Sequence, residues 1–349
     1  MKKLLSKRRS KQDVPSSRIT NETVAEHREK ILAGGRRYKY PIQYARHRLV
    51  IVTVSLVVSA LLVVIAVGWW LLYVNQNNNT LLYRVTQVVP VPIASVDGQT
   101  VRYSDYLMYY NSSMHYLQKS EQLVMDENGR RAANDQKRLN LDIAVRNGFA
   151  QKLAKELGIT LEQEQLERVN QEKLTMANGT ITQETYDAST LSLLGWTPAE
   201  EQRSTRNQIL KNNVAFHIDD TAKQRVKTAS ELLLTYKDDF AKVAAELGGE
   251  GDAQVISGVS GLVSLVNNDG GRAEAARKLD IGEISSVIKS TTGDGYYFVK
   301  LIEKTDTQLN YEFIQIPLTE FDARLEKLKK QGKVKEYITI NRESQRPQR

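Results

Sequence analysis

The feature that most constrains this chain is an uncharged apolar segment near its N-terminus. It covers residues 49–74, LVIVTVSLVVSALLVVIAVGWWLLYV, without a single Asp, Glu, Lys or Arg. As a helix rising 1.5 Å per residue, it is longer than the roughly 30 Å hydrocarbon core of a bilayer. A buried core helix rarely has so many uninterrupted apolar residues, and the apolar part of a signal peptide is usually only about 7 to 15 residues long. The sequence therefore predicts a single transmembrane helix.

Basic residues are concentrated before this segment. Residues 1–48 contain 14 Lys and Arg against 4 Asp and Glu, a balance of +10, so a total charge of +8 leaves −2 for the rest. A nearly neutral body argues against a nucleic-acid-binding protein, whose basic surface follows phosphates. Because basic residues favour the cytoplasmic side, we expect residues 1–48 inside the cell and residues 75–349 outside it. An arm that binds nucleic acid or anionic lipid is the alternative interpretation of this tail.

The composition also excludes several kinds of site. The chain has no cysteine and only four histidines. Without thiols there is no disulfide scaffold, no thiolate metal site and no cysteine nucleophile, and scattered histidines argue against a zinc centre. We therefore expect neither a metal nor another cofactor.

A spacer and a helical module are predicted after the apolar segment. Residues 75–89 form the spacer. In the basic tail, before the apolar segment, residues 22–32 predict a short helix that ends at two glycines. Asp97 and Gly98 are typical of a two-residue hairpin turn. Beyond this hairpin, apolar residues recur at spacings of three and four, which predicts a mainly helical module over residues 90–213. Capping-box patterns begin at Thr160, Thr197 and Thr221.

The first helix of this module is rich in tyrosine. Its tyrosines are Tyr103, Tyr106, Tyr109, Tyr110 and Tyr116. We expect Tyr106 and Tyr110 to pack in the core. Exposed members of the set are expected to contact unfolded chains through adaptable, weakly specific contacts.

Strand patterns alternate with helices after residue 213. Strands are predicted at residues 214–218, 261–266, 287–290 and 296–302. This order indicates an α+β domain over residues 214–305, in which a small antiparallel sheet is flanked by helices. The extension, residues 306–349, predicts a strand at 311–318 and a charged helix at 320–331 that pack on this domain, and residues 343–349 predict a polar, frayed end.

Four segments carry a family resemblance through their order and spacing. They are PIASVDGQTVRYSDYL, FAQKLAKELGITLEQEQLERV with GWTPAEEQRSTRNQIL, VAFHI with DDFAKVAAEL, and LDIGEISSVIKSTTGDGYYFVKLIEK. Together they resemble the SurA/PrsA foldases of the membrane or periplasm over residues 90–305. The resemblance implies a SurA N-terminal-like chaperone module at residues 90–213, with a client-binding cradle. It also implies a parvulin-type peptidyl-prolyl isomerase domain at residues 214–305, with a shallow proline pocket.

The resemblance implies three catalytic residues, His217, Tyr297 and Glu250. His217 falls at the first histidine of the parvulin pocket, Tyr297 replaces the second, and Glu250 falls near its cysteine or aspartate, with Asp252 adjacent. Isomerisation of an X-Pro bond requires no nucleophile. It requires only that the proline ring is bound in an apolar pocket and that the twisted amide is stabilised. In the alternative interpretation, His217 is a hydrogen-bonded strand residue and Tyr297 a packed strand aromatic.

These features predict a single-pass cell-membrane protein with a cytoplasmic N-terminus. Its extracytoplasmic part is expected to be a chaperone or foldase that binds unfolded exported polypeptides, and the resemblance implies peptidyl-prolyl isomerase activity. The alternative is a non-catalytic envelope interaction or scaffold protein that retains a degenerate parvulin fold. The sequence leaves the oligomeric state open.

Overall fold

The computed structural model describes residues 20–39, 41–176, 179–236 and 239–340. The first 19 residues of the basic tail and the polar end at residues 343–349 lie outside the described residues. Contacts divide the chain into two units, Met1–Trp70 and Leu71–Arg349, and the second unit is called the body below.

The first unit is helical where it is described. Helix α1 is Asn21–Lys39 and helix α2 is Pro41–Trp69. The predicted tail helix is confirmed, but it continues through Gly34 and Gly35 instead of ending there. After α2 a π-helical turn covers Trp70–Val74. His47–Val74 has a mean hydropathy of 3.1 with none of its most apolar window buried, and it is long and apolar enough to cross a membrane.

The body begins with a short helix, a hairpin and five longer helices. The elements are α3 (Thr80–Val88), β1 (Pro92–Val96), β2 (Gln99–Arg102), α4 (Tyr103–Ser120), α5 (Glu127–Leu157), α6 (Gln163–Leu174), β3 (Thr175–Met176), β4 (Gly179–Thr180), α7 (Gln183–Leu194) and α8 (Pro198–Ile218). The predicted hairpin turn is confirmed, because Asp97 and Gly98 both have positive φ, 47° and 89°. The capping box at Thr197 is also confirmed. The box predicted at Thr160 is wrong, since α6 begins after Glu162 without a side-chain cap.

The tyrosines of α4 form much of the core of this helical part. Tyr103, Tyr106 and Tyr110 are buried, Tyr103 meets Tyr106 edge-on at 5.7 Å, and Tyr106 stacks on Tyr110 at 5.6 Å. Burial raises the pKa of all three phenols. The prediction of a core role for Tyr106 and Tyr110 is confirmed.

The strand predicted at residues 214–218 is wrong. VAFHI forms the C-terminal end of α8. Val214, Ala215 and Ile218 pack with the helical core, whereas Phe216 packs with the sheet. A short run of apolar residues is compatible with either a buried strand or a buried helix, and here the helix that begins at Pro198 simply continues through it.

The sheet part follows α8. Its elements are α9 (Asp220–Thr235), α10 (Phe240–Leu247), a 3₁₀ turn (Gly251–Ala253), β5 (Ile256–Val259), β6 (Val263–Ser264), α11 (Arg272–Arg277), β7 (Ile288–Lys289), β8 (Gly295–Lys304) and β9 (Gln308–Pro317). The strand order is β5-β9-β8-β7, every pair is antiparallel, and β6 also pairs with β9. Helices α9 and α10 pack on one face and α11 on the other. The architecture is therefore α+β, with small antiparallel sheets among helices, as the sequence predicts.

The chain then returns to the helical part. Helix α12 is Glu320–Lys330 and β10 is Val334–Glu336, which pairs with β1. The predicted strand and helix of this extension are confirmed as elements. However, α12 does not pack on the sheet part as expected: Phe321 lies 5.0 Å from Phe149 of α5, between ring centroids, and Arg146 pairs with Asp322.

A buried carboxylate joins these parts. Asp219 is fully buried between α8 and α9, and its Oδ1 accepts from the Ala222 N–H at 2.8 Å. Its Oδ2 accepts from the N–H groups of Thr319 at 2.7 Å and Glu320 at 3.0 Å, at the start of α12. One side chain therefore caps two helices. The capping box predicted at Thr221 is wrong, because Asp219 holds that position.

We expect Asp219→Ala to be strongly destabilising, because it leaves backbone N–H groups of two helices without an acceptor. The loss in free energy of unfolding should be about 3 kcal/mol, and Asp219→Asn, which keeps one acceptor oxygen, should lose less. Asp239→Ala is the matched control, since Asp239 is an exposed cap that, among the described residues, accepts only from the Lys242 N–H, and about 1 kcal/mol is expected. Urea unfolding in detergent, followed by circular dichroism, measures all three variants. Equal losses for the two alanine variants would contradict the double cap.

Candidate functional site

The three residues predicted for catalysis lie on different elements. His217 is exposed in the last turn of α8, Glu250 is exposed just before the 3₁₀ turn, and Tyr297 is buried on β8. Among the residues that the structure describes, no hydrogen bond or ring contact joins any two of them. Their catalytic role stays a prediction.

The sheet also separates His217 from Tyr297. Phe216, the neighbour of His217, packs edge-on against Tyr296 at 4.9 Å, on the face covered by α9 and α10. Side chains alternate along a strand, so Tyr297 points to the opposite face, beside α11. Among the described residues, the ring of Tyr297 and the Phe216 neighbour of His217 therefore pack on opposite faces of the sheet.

Tyr297 is held by the turn that precedes its own strand. Its hydroxyl donates to Asp294 Oδ2 at 2.6 Å, and Thr292 Oγ1 donates to Asp294 Oδ1 at 2.8 Å. Gly295 makes this turn possible, because its φ is +148° and a Cβ there would lie 2.3 Å from the Ile316 carbonyl oxygen. Burial and the Asp294 carboxylate raise the pKa of Tyr297, so the phenol stays neutral.

Asp294 is ionised over a wide pH range. Burial alone would raise its pKa, but hydrogen bonds from Ser290, Tyr297 and Thr292 outweigh this effect and lower the pKa of the carboxyl group. Gln315 of β9 also lies at 3.4 Å from Asp294 Oδ2. The negative charge directly before the first residue of β8 is therefore fixed in place by side chains from two strands and a turn.

An arginine covers the ring of Tyr297. The Arg272 guanidinium lies 4.7 Å from the Tyr297 ring centroid and 5.0 Å from that of Phe313, which is a cation–π arrangement with both rings. We call Arg272, Tyr297 and Phe313 the stacked cluster. Arg272 Nε donates to the Asp269 carbonyl at 2.8 Å, and its two Nη groups have no acceptor among the described residues. These groups can donate to a carbonyl or carboxylate of a bound chain.

Asp269 fixes the helix that carries this arginine. Its carboxylate accepts from the Ala273 N–H at the start of α11 and from the Tyr311 hydroxyl on β9. Burial and Asp269 raise the pKa of Tyr311. The position of the guanidinium over the rings is therefore set by contacts with the sheet itself.

A cleft lies between α6 and the segment that leads into α11. Its volume is about 660 Å³. It is lined by charged side chains of both signs from the two helices, by the apolar side chains of Val169, Leu265 and Val266, and by the backbone of Gly270 and Gly271. The volume is within the range of ligand pockets, but the lining is more polar than usual. Such a cleft suits an extended polypeptide better than a small apolar ligand.

Most of these residues could not be predicted from the sequence. Arg272 follows a glycine pair, which is typical of a loop, and Phe313 lies on a strand that was expected outside the site. Asp294 does have a local signal, since it lies between two glycines directly before Tyr296 and Tyr297. Within the described ranges, no group of three His, Asp or Glu side chains could hold a metal ion.

We expect Tyr297→Phe to destabilise the protein at neutral pH by about 1 kcal/mol, because Asp294 loses a donor. A carboxylate with a lowered pKa stabilises the fold above the pKa that it has in the unfolded chain, and this stabilisation disappears as the pH falls through the folded-state pKa. The difference between variant and wild type should therefore shrink in acid. Unfolding measured from pH 3 to 7 tests this.

Tyr296→Phe is the control, since the Tyr296 hydroxyl has no hydrogen-bond partner among the described residues. A difference that stays constant with pH, or that Tyr296→Phe reproduces, would count against the pairing.

Comparison with known proteins gives one family. Residues 42–215 match the family model described as the SurA-like N-terminal domain. The match covers α2 to most of α8 and therefore includes the apolar helix as well as the helical part of the body. No curated protein matches the chain. Residues 42–215 are thus similar to a SurA-like N-terminal domain, and the sheet part that follows lies outside the match.

Proposed function

We propose that this protein is a membrane-anchored chaperone whose body binds unfolded exported polypeptides. The SurA-like N-terminal domain at residues 42–215 is the observation that carries this proposal. The sheet part supports it with the charged and apolar side chains that line the cleft between α6 and α11, which can contact an extended chain. This function requires only reversible binding of exposed segments, which weak and adaptable contacts provide.

The anchor in this proposal is the apolar helix. His47–Val74 is long enough to span a bilayer, and fourteen basic residues precede residue 49. Because such residues stay on the cytoplasmic side, the proposal places the body outside the cytoplasm. Unfolded chains arrive on that side during export.

The side of the membrane can be tested by labelling, since the chain has no cysteine of its own. Leu234 on α9 is 86% exposed, so Leu234→Cys offers an accessible thiol. A membrane-impermeant maleimide should label this variant in intact cells whose outer envelope layers are permeable to it. The control is a cytoplasmic protein with an exposed thiol, which should react only after lysis. Labelling of Leu234→Cys only after lysis would contradict the proposed topology.

The cleft between α6 and α11 is the proposed client-binding surface. Arg168 and Arg277 line it, and neither has an ion-pair partner among the described residues. Glu172 lies there too; burial and then the Glu274 carboxylate raise the pKa of its carboxyl group. Free donors, carboxylates and the apolar side chains of Val169 and Leu265 can all contact an extended chain of mixed composition. Low sequence specificity is the expected consequence.

Photocrosslinking tests the cleft. Val169→Cys carrying benzophenone maleimide should crosslink an unfolded client several-fold more than Leu234→Cys carrying the same label, because only the first probe lies in the cleft. Folded client is the second control and should give little crosslinking at either position. Equal crosslinking at the two positions, or suppression of client aggregation without crosslinks at Val169, would remove the cleft from the proposal. Failure to bind the client or delay its aggregation at all would contradict the chaperone role.

The isomerase role of His217, Tyr297 and Glu250 is a separate proposal, implied by the resemblance to parvulins. The alternative is a binding protein or scaffold without catalysis. The geometry favours the second, because Arg272 covers the Tyr297 ring and His217 adjoins the other face of the sheet. A proline pocket at Tyr297 would require Arg272 to move away.

A proline-limited refolding assay separates the two. Unaided isomerisation takes tens to hundreds of seconds, and we expect the same rate with the full chain present as in buffer. His217→Ala should leave the rate unchanged for the same reason. If wild type is inactive, Arg272→Ala is tested in the same refolding assay, because this substitution uncovers the ring of Tyr297. Acceleration by wild type that His217→Ala abolishes would overturn the expectation and establish the predicted role of His217.

A further inference from the structure

One helix of the body leaves an apolar face exposed. Helix α3 buries Leu82, Tyr83 and Thr86 against the body. Leu81, Val85 and Val88 on its outer side are 69%, 45% and 84% exposed. At 3.6 residues per turn these three side chains lie within about 60° of the helix circumference. They form a continuous strip, which we call the α3 face.

The path of the chain ties this helix to the end of the apolar span. Leu72, two residues before the end of the span, is buried in the core of the body, and its carbonyl accepts from the Tyr103 hydroxyl at 2.7 Å. The Tyr73 hydroxyl donates to the Pro92 carbonyl at 2.5 Å. The last residues of the apolar segment, from Leu71 to Val74, are therefore part of the body itself.

The short connection between the span and α3 is also bound to the body. Residues 75–79 bridge Val74 and Thr80, and when fully extended they reach at most about 20 Å. Gln76 donates to the Thr339 carbonyl at 2.8 Å, and Asn78 donates to Asn111 at 3.3 Å. Asn79 caps α3 by accepting from the Leu82 N–H at 2.8 Å. The distance from the end of the span to the α3 face is therefore short and fixed.

We propose that the α3 face inserts into the interfacial layer of the bilayer leaflet in which the span ends. This inference rests on the proposed membrane anchor. The headgroup layer is about 5 to 8 Å deep on each side of the hydrocarbon core, which suits one apolar strip of a surface helix. Arg84 is exposed at the edge of the strip, where its guanidinium can contact lipid phosphates. Trp69 and Trp70, exposed near the end of the span, fit the same aromatic interface.

Lipid explains the composition of this face better than a protein partner does. The face combines aliphatic side chains with an arginine at its edge, and it carries no acidic side chain. A second copy of the chain or a bound client could also cover it. Either occupant would hide the face from water without bringing it near lipid, so the two cases can be separated by experiment.

Fluorescence in vesicles provides the test, again because the chain has no cysteine. The full chain is reconstituted in vesicles of phosphatidylcholine and phosphatidylglycerol, with an environment-sensitive label at Val88→Cys. Insertion into the interfacial layer should shift its emission to the blue, and lipids with a spin label near the headgroup should quench it. Gln87→Cys, on the flank of α3, should be quenched less, and Leu234→Cys on α9 should not be quenched. Leu61→Cys, at the middle of the span, is measured with lipids that carry the spin label deep in the acyl chain, and it reports whether the anchor itself is inserted.

Each outcome decides the inference. Quenching at Val88 and Leu61 but not at Leu234 supports it. Quenching at Leu61 alone overturns it and leaves the proposed anchor intact. Quenching at neither Val88 nor Leu61 overturns the anchor together with the inference. Protection of Val88 from an aqueous quencher without quenching by lipid identifies a protein occupant and overturns the proposal. Circular dichroism shows that each labelled variant is folded, which is expected because all these positions are exposed.

Discussion

The carboxylate of Asp219 determines how the parts of the body are joined. It is fully buried, and a buried charge is tolerated only where hydrogen bonds and favourable dipoles replace water. Both of its oxygens face helix N-termini, at α9 and at α12, where the backbone N–H groups and the helix dipole stabilise negative charge. Since α12 begins directly after β9, this single contact fixes the end of the central strand and the start of the returning helix together. The helical and sheet parts therefore share one junction.

The elements that local sequence determines are those that were predicted well. The hairpin at Asp97 depends on positive φ angles, and the start of α8 depends on the Thr197 capping box, so four to six residues suffice for each. The end of α8 is different. The side chains of residues 214–218 are buried against both the helical core and the sheet, and Phe216 packs on Tyr296, eighty residues further along the chain. No local pattern contains that information.

The same distinction applies to the candidate site. Tyr297 was predicted through the family resemblance of its own segment, in which Gly295 and Tyr296 directly precede it. Arg272 could not be predicted in this way, since its position over the ring results from Asp269 binding both α11 and Tyr311 on β9. Helix α8 contributes in the same way: Asn212 donates to the Thr291 carbonyl at 2.8 Å and Gln208 to the Thr292 carbonyl at 3.1 Å. The turn that presents Asp294 is thus held by the helical part, which links the site to the SurA-like domain.

This linkage bears on how the proposed chaperone would work. If the helical and sheet parts moved independently, the cleft between α6 and α11 would open and close as the two parts separate. Instead the α8 amides, Asp219 and the pairing of β10 with β1 hold both parts together at separate points. Leu72 and Tyr73, at the end of the apolar segment, belong to the same body. In the proposed chaperone, a cleft held in this way would keep its shape while it binds exported chains that have not yet buried their apolar residues.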